Sequence, residues 1–269
     1  MRMQACSRAR VVSPLVSCLM VTADRPGLAS RAIKCHAHQT YENTELVILD
    51  DGSVDYSSVI SAHGAPGRVR YVRIPRDPAL TLGDLRNMSM ELAQGDWMIQ
   101  WDDDEWYAPT RIETQLNSAL AGGTGACALK WTLVRIEGNG SIMNFRAETG
   151  TATPGTILYR RCESRYPSLR RNEDGVFMAS VARELGMTVL GREHSHLFVR
   201  IHHGANTWSR AHFEQRLRRT PAQWPAWLVA RYLRRDITTL GAFRLTDDEL
   251  TTVESVDRST AGEVLHVIS

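Results

Sequence analysis

Four acids in a row, Asp102-Asp103-Asp104-Glu105, close a short apolar run, Trp97–Trp101. Carboxylates repel one another and lose hydration when a fold draws them together. A cluster of this kind at the end of a strand-like run therefore asks for a cation to offset it. Mg2+ and Mn2+ take oxygen ligands, and Mg2+ binds through one or two carboxylates completed by substrate phosphates. The cluster reads as a metal–diphosphate site. The same residues also suit a solvated acidic loop leading into a helix after Pro109, where acids favour the helix dipole.

The acids need elements to hold them. The first half of the chain alternates strand-like and helix-like segments: Val16–Val21, Leu28–His38, Glu45–Leu49, Tyr56–Ala62, Val69–Ile74, Leu82–Ala93, Trp97–Trp101 and Thr110–Ala121. This rhythm predicts an open α/β sheet of mainly parallel strands. In such sheets ligands bind beyond the carboxyl ends of the strands. Three of the runs end there in polar residues: Thr22-Ala23-Asp24, Asp50-Asp51-Gly52-Ser53 and the acid cluster. Parallel strands bring all three to one edge.

The second half is less regular. Cys127–Ile136 and Ser141–Phe145 flank Glu137-Gly138-Asn139-Gly140, a hairpin signal. Thr156–Tyr159 and Leu197–Ile201 are further strand candidates, and Asp174–Leu185 a helix. Trp208–Arg235 reads as helical, broken by Pro221 and Pro225. Residues 236–269 have few aromatics and read as a loosely packed appendage.

With 269 residues, 43 % hydrophobic and 23 % charged, the composition is that of an ordinary globular protein. A net charge of +2 argues against a general nucleic-acid binder. Five cysteines without Cys-x-x-Cys spacing suggest neither a disulfide framework nor a zinc site, and fit a reducing, cytoplasmic setting. Arg2, Arg8 and Arg10 before Val11–Ala23 loosely imitate a signal peptide, but Ser13, Pro14 and Ser17 interrupt the run. It reads as a ragged tail before the first buried strand, and no segment has the length and apolarity of a membrane span.

Taken together, the motifs resemble family 2 glycosyltransferases. The resemblance rests on Val16–Thr22, Gln39-Thr40-Tyr41, Glu45–Asp55 with its Asp50-Asp51-Gly52-Ser53-Val54-Asp55 segment, Gly83-x-x-Arg86-Asn87, Ala93-x-Gly95-Asp96-Trp97, and the acid cluster followed by Pro109. It covers residues 14–205. It implies a GT-A fold, a Rossmann-like, mainly parallel nucleotide-binding sheet flanked by helices, with a mostly helical C-terminal extension. The implied organisation is a tail over 1–13, a catalytic domain over 14–207 (nucleotide-sugar half 14–125, acceptor half 126–207) and the extension over 208–269.

The resemblance also implies residue roles. Thr22 and Asp51 contact the nucleotide base, with Asp24 assisting. An Asp accepts a hydrogen bond from a pyrimidine ring N–H; the alternative for Asp50–Ser53 is a plain strand-to-helix turn. The acid cluster matches the family's Asp-x-Asp motif: Asp104 ligates Mn2+ or Mg2+, Asp102 meets the ribose or the cation's water, and Asp103 lies against the ribose. Arg86 meets the diphosphate or is a surface helix arginine. Asp174, with Glu173 orienting donor or acceptor beside it, is the general base for an acceptor hydroxyl, or a helix N-cap. In Arg200-Ile201-His202-His203-Gly204-Ala205-Asn206-Thr207-Trp208, His203 completes the metal site, and Trp208 stacks on a sugar or base or serves as core or lid.

The expected activity is a metal-dependent, inverting transfer from a nucleoside-diphosphate sugar, most often a UDP-sugar, to a hydroxyl on a saccharide, lipid-linked glycan, natural product or protein. No nucleic-acid partner is expected. Arg210, Arg216, Arg218, Arg219, Arg231, Arg234 and Arg235 with Trp224, Trp227 and Tyr232 make either a basic surface for anionic lipid or an acidic acceptor, or a solvated helical face. The Gln-x-x-Arg-Trp run of processive members is absent, which favours a single transfer. Two rivals stand: a sugar-nucleotide nucleotidyltransferase, for which Thr22–Gly27 has little of the glycine-rich loop, and a non-catalytic nucleotide-sugar-binding protein.

Overall fold

Strand residues 16–21, 44–50 and 97–100 are almost wholly buried, which requires cover on both faces of the sheet they build. The computed structural model describes residues 13–138, 141–204, 206, 210–215 and 244–264, with positions 225, 228, 229 and 232 between them. β1 (Val16–Thr22) pairs in parallel with β2 (Thr44–Asp50) and with β4 (Trp97–Gln100), and β2 with β3 (Val69–Arg73). Beyond them lie β6 (Ala126–Leu129), β9 (Leu158–Arg160) and β10 (Met187–Leu190), in the order β10-β6-β9-β4-β1-β2-β3. β9 runs against both neighbours; β6 and β10 are parallel.

Successive strand side chains point to opposite faces. Val16, Cys18, Met20, Leu46, Ile48, Trp97 and Ile99 accordingly enter one core. Leu19, Val47 and Met98 enter the other. α1 (Pro26–Ala37) and α4 (Arg111–Ala121) cover the first face with Ala29, Ala32, Ile33, Ile112 and Leu116. α3 (Leu82–Leu92) and α5 (Glu173–Leu185) cover the second with Met90, Phe177 and Val181. α2 (Ser57–His63) follows β2. The helix starts are locally specified: Pro26 opens α1, and Thr81 and Asp84 form a reciprocal capping box on α3.

A second sheet, ordered β5-β11-β7-β8, stands beyond the acid cluster. It contains β5 (Trp106–Tyr107), β7 (Trp131–Gly138), β8 (Ser141–Glu148) and β11 (Phe198–His202). The apolar run Cys127–Ile136, read as one strand, breaks at Lys130, so that β6 joins one sheet and β7 the other. β7 and β8 pair antiparallel with Gly138 opposite Ser141, as the hairpin signal predicts.

A short 3-10 helix, Arg192–Leu197, leads into β11. α6 (Arg210–Gln215) and α7 (Asp247–Val264) follow. The expectation of a loose appendage is corrected over 244–264. Glu249, 1 % exposed, receives hydrogen bonds from Arg146 of β8 and Ser195 of the 3-10 helix, and Val256 is buried in the first core. Trp208 and most of the basic run between Arg216 and Arg235 lie outside the described residues. Among the described residues, no helix is long and apolar enough to cross a membrane.

Candidate active site

The parallel register sets the carboxyl ends of β1, β2 and β4 side by side. At the first end, Thr22 Oγ1 donates to Asp103 Oδ2 at 2.5 Å and lies 2.9 Å from the Tyr56 hydroxyl. Asp24, left-handed at φ 56°, accepts at one oxygen from Ser53 N (2.7 Å), Ser53 Oγ (2.8 Å) and Val54 N (3.1 Å). The Ser53 hydroxyl foremost, then those amides, hold its pKa below the ordinary carboxylate value. A Cβ on Gly52 would fall 2.7 Å from Asp24 N, so only glycine permits this approach.

The neighbouring aspartates of the β2 turn divide their work. Asp50 is fully buried; it accepts from Gly52 N and the Tyr71 hydroxyl and lies 3.2 Å from Arg73 Nε. Asp50 builds the turn. The half-buried Asp51 carboxylate has no hydrogen-bond partner among the described residues, while its backbone N donates to Thr22 O at 3.3 Å. The plain-turn reading holds for Asp50, and the Asp51 carboxylate is left out of the turn's own bonding. Thr22 and Asp24, expected at the base, have their side chains bonded to Asp103 and to the Ser53 turn.

The four acids diverge. Asp102 accepts from Arg86 Nη2 at 3.1 Å and from Gln100 Nε2. Asp103, 1 % exposed, accepts from Thr22 and from Arg25 Nη2 at 2.6 Å. Its pKa is pushed up by burial and by Asp104, which together outweigh Arg25. Asp104 Oδ2 lies 3.4 Å from both Arg25 Nη1 and His203 Nε2. Burial acts to raise its pKa too, but the His203 hydrogen bond and the Arg25 charge hold it below the ordinary value. Glu105 turns away and is buried: its Oε2 accepts from Ile201 N at 2.7 Å and its Oε1 lies 3.4 Å from Arg200 Nε. Glu105 fastens β11, which delivers His203.

Two arginines brace the cluster from below. Arg31 of α1 donates to the carbonyls of Asp104 (2.7 Å) and Glu105 (3.4 Å). Arg111, fully buried, lies over the rings of Trp101 (5.3 Å), Tyr107 (4.6 Å) and Phe198 (5.3 Å) and donates to Gln100 O. Sequence reasoning missed Arg25, Arg31 and Arg111. A lone basic residue on a helix carries no sign of which distant carboxylate or carbonyl it will meet.

Glu173 is tied to the acid cluster through Arg86, and Asp174 follows it in the first turn of α5. Arg86 is no surface arginine. It is buried, its Nη1 donates to Glu173 Oε1 at 2.7 Å and its Nη2 to Asp102, and Tyr166 packs on it at 5.4 Å. Burial works against its charge, but Asp102 first, then Tyr166, Asp174 and Glu173, raise its pKa. Both prongs of its fork are on carboxylates. The N-cap of α5 is Asn172, left-handed at φ 64°, and not Asp174. Asp174 is half-buried and accepts from Gly175 N at 2.8 Å.

The His203 main chain is set by Asn206, which accepts from His203 N at 2.8 Å and donates to Ile201 O at 2.9 Å. His194 and His196 stand together on the 3-10 helix, His196 against Glu193 O, away from the acids. Among the described residues, no three His, Cys, Asp or Glu side chains are grouped to hold a metal ion. Asp104 and His203 supply one oxygen and one nitrogen, a donor set suited to Mn2+ whose remaining positions substrate phosphates can fill.

Residues 17–171 match the family model described as Glycosyl transferase family 2. The chain is 27 % identical over 203 residues to an uncharacterized glycosyltransferase of Haemophilus influenzae, covering 70 % of this chain and 80 % of that one. It is 32 % identical over 89 residues to the cholesterol galactosyltransferase of Borreliella burgdorferi, covering 33 % and 25 %. In structure it is similar to S. aureus TarS in complex with UDP-GlcNAc, with a TM-score of 0.57 at 13 % identity over 89 % of this chain and 78 % of that one. It is also similar to the Pyrobaculum calidifontis mannosyltransferase PcManGT in complex with GDP-Man and Mn2+, with a TM-score of 0.53 at 13 % identity over 93 % and 76 %. These likenesses establish the GT-A fold, and the family match extends over more than half of the 269 residues: the chain belongs to glycosyl transferase family 2.

Proposed function

We propose that this enzyme moves a sugar from a nucleoside-diphosphate donor, a UDP-sugar foremost, to an acceptor hydroxyl in one metal-dependent, in-line displacement that inverts the anomeric carbon. TarS with UDP-GlcNAc and PcManGT with GDP-Man and Mn2+ lend support on the side of the donor. In this reading Asp51, whose carboxylate is uncommitted, receives the base, and Asp102 and Asp103 flank the ribose. Asp104 and His203 would hold Mn2+ or Mg2+, which when bound supplies Lewis-acid stabilisation to the departing diphosphate. Arg86, read from sequence as a diphosphate contact, instead fixes Asp102 and Glu173 relative to one another.

Asp174 takes the acceptor proton. A hydroxyl is a weak nucleophile until a base within hydrogen-bond reach removes its proton as the new bond forms. Asp174 accepts from Gly175 N at one oxygen, its other oxygen has no hydrogen-bond partner among the described residues, and Glu173 beside it is paired with Arg86. A single displacement needs the base on the side opposite the leaving group, and the reading assigns the two sides to different elements, α5 for the base and the end of β4 for the acids.

The observation that carries this reading is the Asp102–Arg86–Glu173 ion-pair chain, which joins the donor acids to the base-bearing helix. The test is Asp174→Asn. Transfer to any identified acceptor falls by at least about a hundredfold, the scale of a lost general base, while nucleotide binding is retained. Undiminished transfer by the variant would remove Asp174 from the chemistry.

A further inference from the structure

Arg25 has no part in the reading above, yet it meets both central acids. Its one guanidinium places Nη2 2.6 Å from Asp103 Oδ1 and Nη1 3.4 Å from Asp104 Oδ2. The Asp104 oxygen it approaches is the one that faces His203 Nε2. A cation bound between Asp104 and His203 and a guanidinium on the same oxygen would repel each other at close range.

The main chain at Arg25 is pinned while its arm is not. Arg25 N donates to the Tyr56 hydroxyl at 2.7 Å, and Arg25 O accepts from Ala29 N in the first turn of α1. The preceding Asp24 is tied to Ser53 and Val54. Tyr56 is itself fully buried and bonded to Thr22. The Arg25 side chain, by contrast, is 37 % exposed, and among the described residues its guanidinium is held by the two carboxylates alone. A long side chain on a fixed pivot can exchange partners without moving the backbone.

We propose that Arg25 is a cation latch: it bridges Asp103 and Asp104 in the free enzyme, yields Asp104 to the divalent cation, and then turns its fork onto the donor's diphosphate. This rests on the donor-site reading. An arginine fork suits a phosphate pair as well as it suits carboxylates, so one residue serves both states. The latch makes metal alone a weak ligand and metal with nucleoside diphosphate a strong one, because only the second pair gives the displaced guanidinium a new partner.

The test compares wild type and Arg25→Ala for binding of Mn2+ alone, read by the electron paramagnetic resonance of free Mn2+, and of UDP and GDP with Mn2+ present, read by calorimetry. The latch predicts that Arg25→Ala binds Mn2+ alone about five to ten times tighter and the preferred nucleotide about ten times more weakly, opposite signs from one substitution. Arg25→Lys, a point charge without the fork, serves should Arg25→Ala fail to fold; Mn2+ alone then tightens about threefold. Wild type that binds both ligands, with Mn2+ affinity unchanged in the variant, overturns the latch alone. Wild type indifferent to Mn2+ and to both nucleotides overturns the donor-site reading and the latch with it.

Discussion

At the residue scale, the roles of the acids follow from which groups offset them. Arg86 is the sharpest case, because two carboxylates share one buried cation. Removing one partner of such an arrangement leaves charge desolvated and unpaired. Arg86→Met should lower stability by about 3–5 kcal/mol in urea unfolding at neutral pH; a loss under about 1 kcal/mol would mean that Asp102 and Glu173 do not depend on it. The Asp-x-Asp cluster and the Asp51 turn were legible in the sequence because each is a contiguous run at the end of an apolar strand. The division of labour within the runs was not. Asp50 against Asp51, and Glu105 against Asp104, differ only in the direction of a strand-end side chain and in partners such as Ile201 and Tyr71 far along the chain.

At the element scale, the first four strands of the large sheet and the helices around them were readable, since apolar runs of strand length alternate with helical faces. The later strands were less so. The break at Lys130, the reversal of β9 and the short β10 leave no mark in side-chain periodicity, because a three- or four-residue strand has too few positions to show its direction. The last helix was under-read for a different reason: α7 is held by a buried ion pair more than by an apolar stripe. Burial acts to raise the Glu249 pKa, but hydrogen bonds from Arg146, Ser195 and Thr246 N bring it below the ordinary 4.5. A lowered folded-state pKa contributes stability in full above the unfolded value and loses it as pH falls through the folded one. Wild type should therefore lose stability below pH 4.5 in part through this clamp. Glu249→Gln, measured by unfolding across that window, should be less stable at pH 7 and fall less steeply in acid. An unchanged acid slope would show that Glu249 is not the titrating contact.

At the scale of the whole molecule, contacts to the acid cluster come from both sheets and from both helical faces: Thr22 and Arg25 at the β1 end, His203 after β11, and Glu173 of α5 through Arg86. β1, β2 and β4 bring Thr22, Asp51 and the acids from the large sheet; β11 brings His203 from the small one; α5 brings Glu173 and Asp174 from the far face. In the proposed function, Asp104 grips a metal-bound nucleoside diphosphate. The direct measurement is calorimetric binding of UDP and GDP to wild type and Asp104→Asn, each with and without Mn2+. One nucleotide, UDP foremost, should bind wild type at least about tenfold tighter with Mn2+, and Asp104→Asn should abolish the gain while keeping the weaker metal-free binding. Binding indifferent to Mn2+ in wild type, or a metal gain that survives in Asp104→Asn, would contradict this role for Asp104.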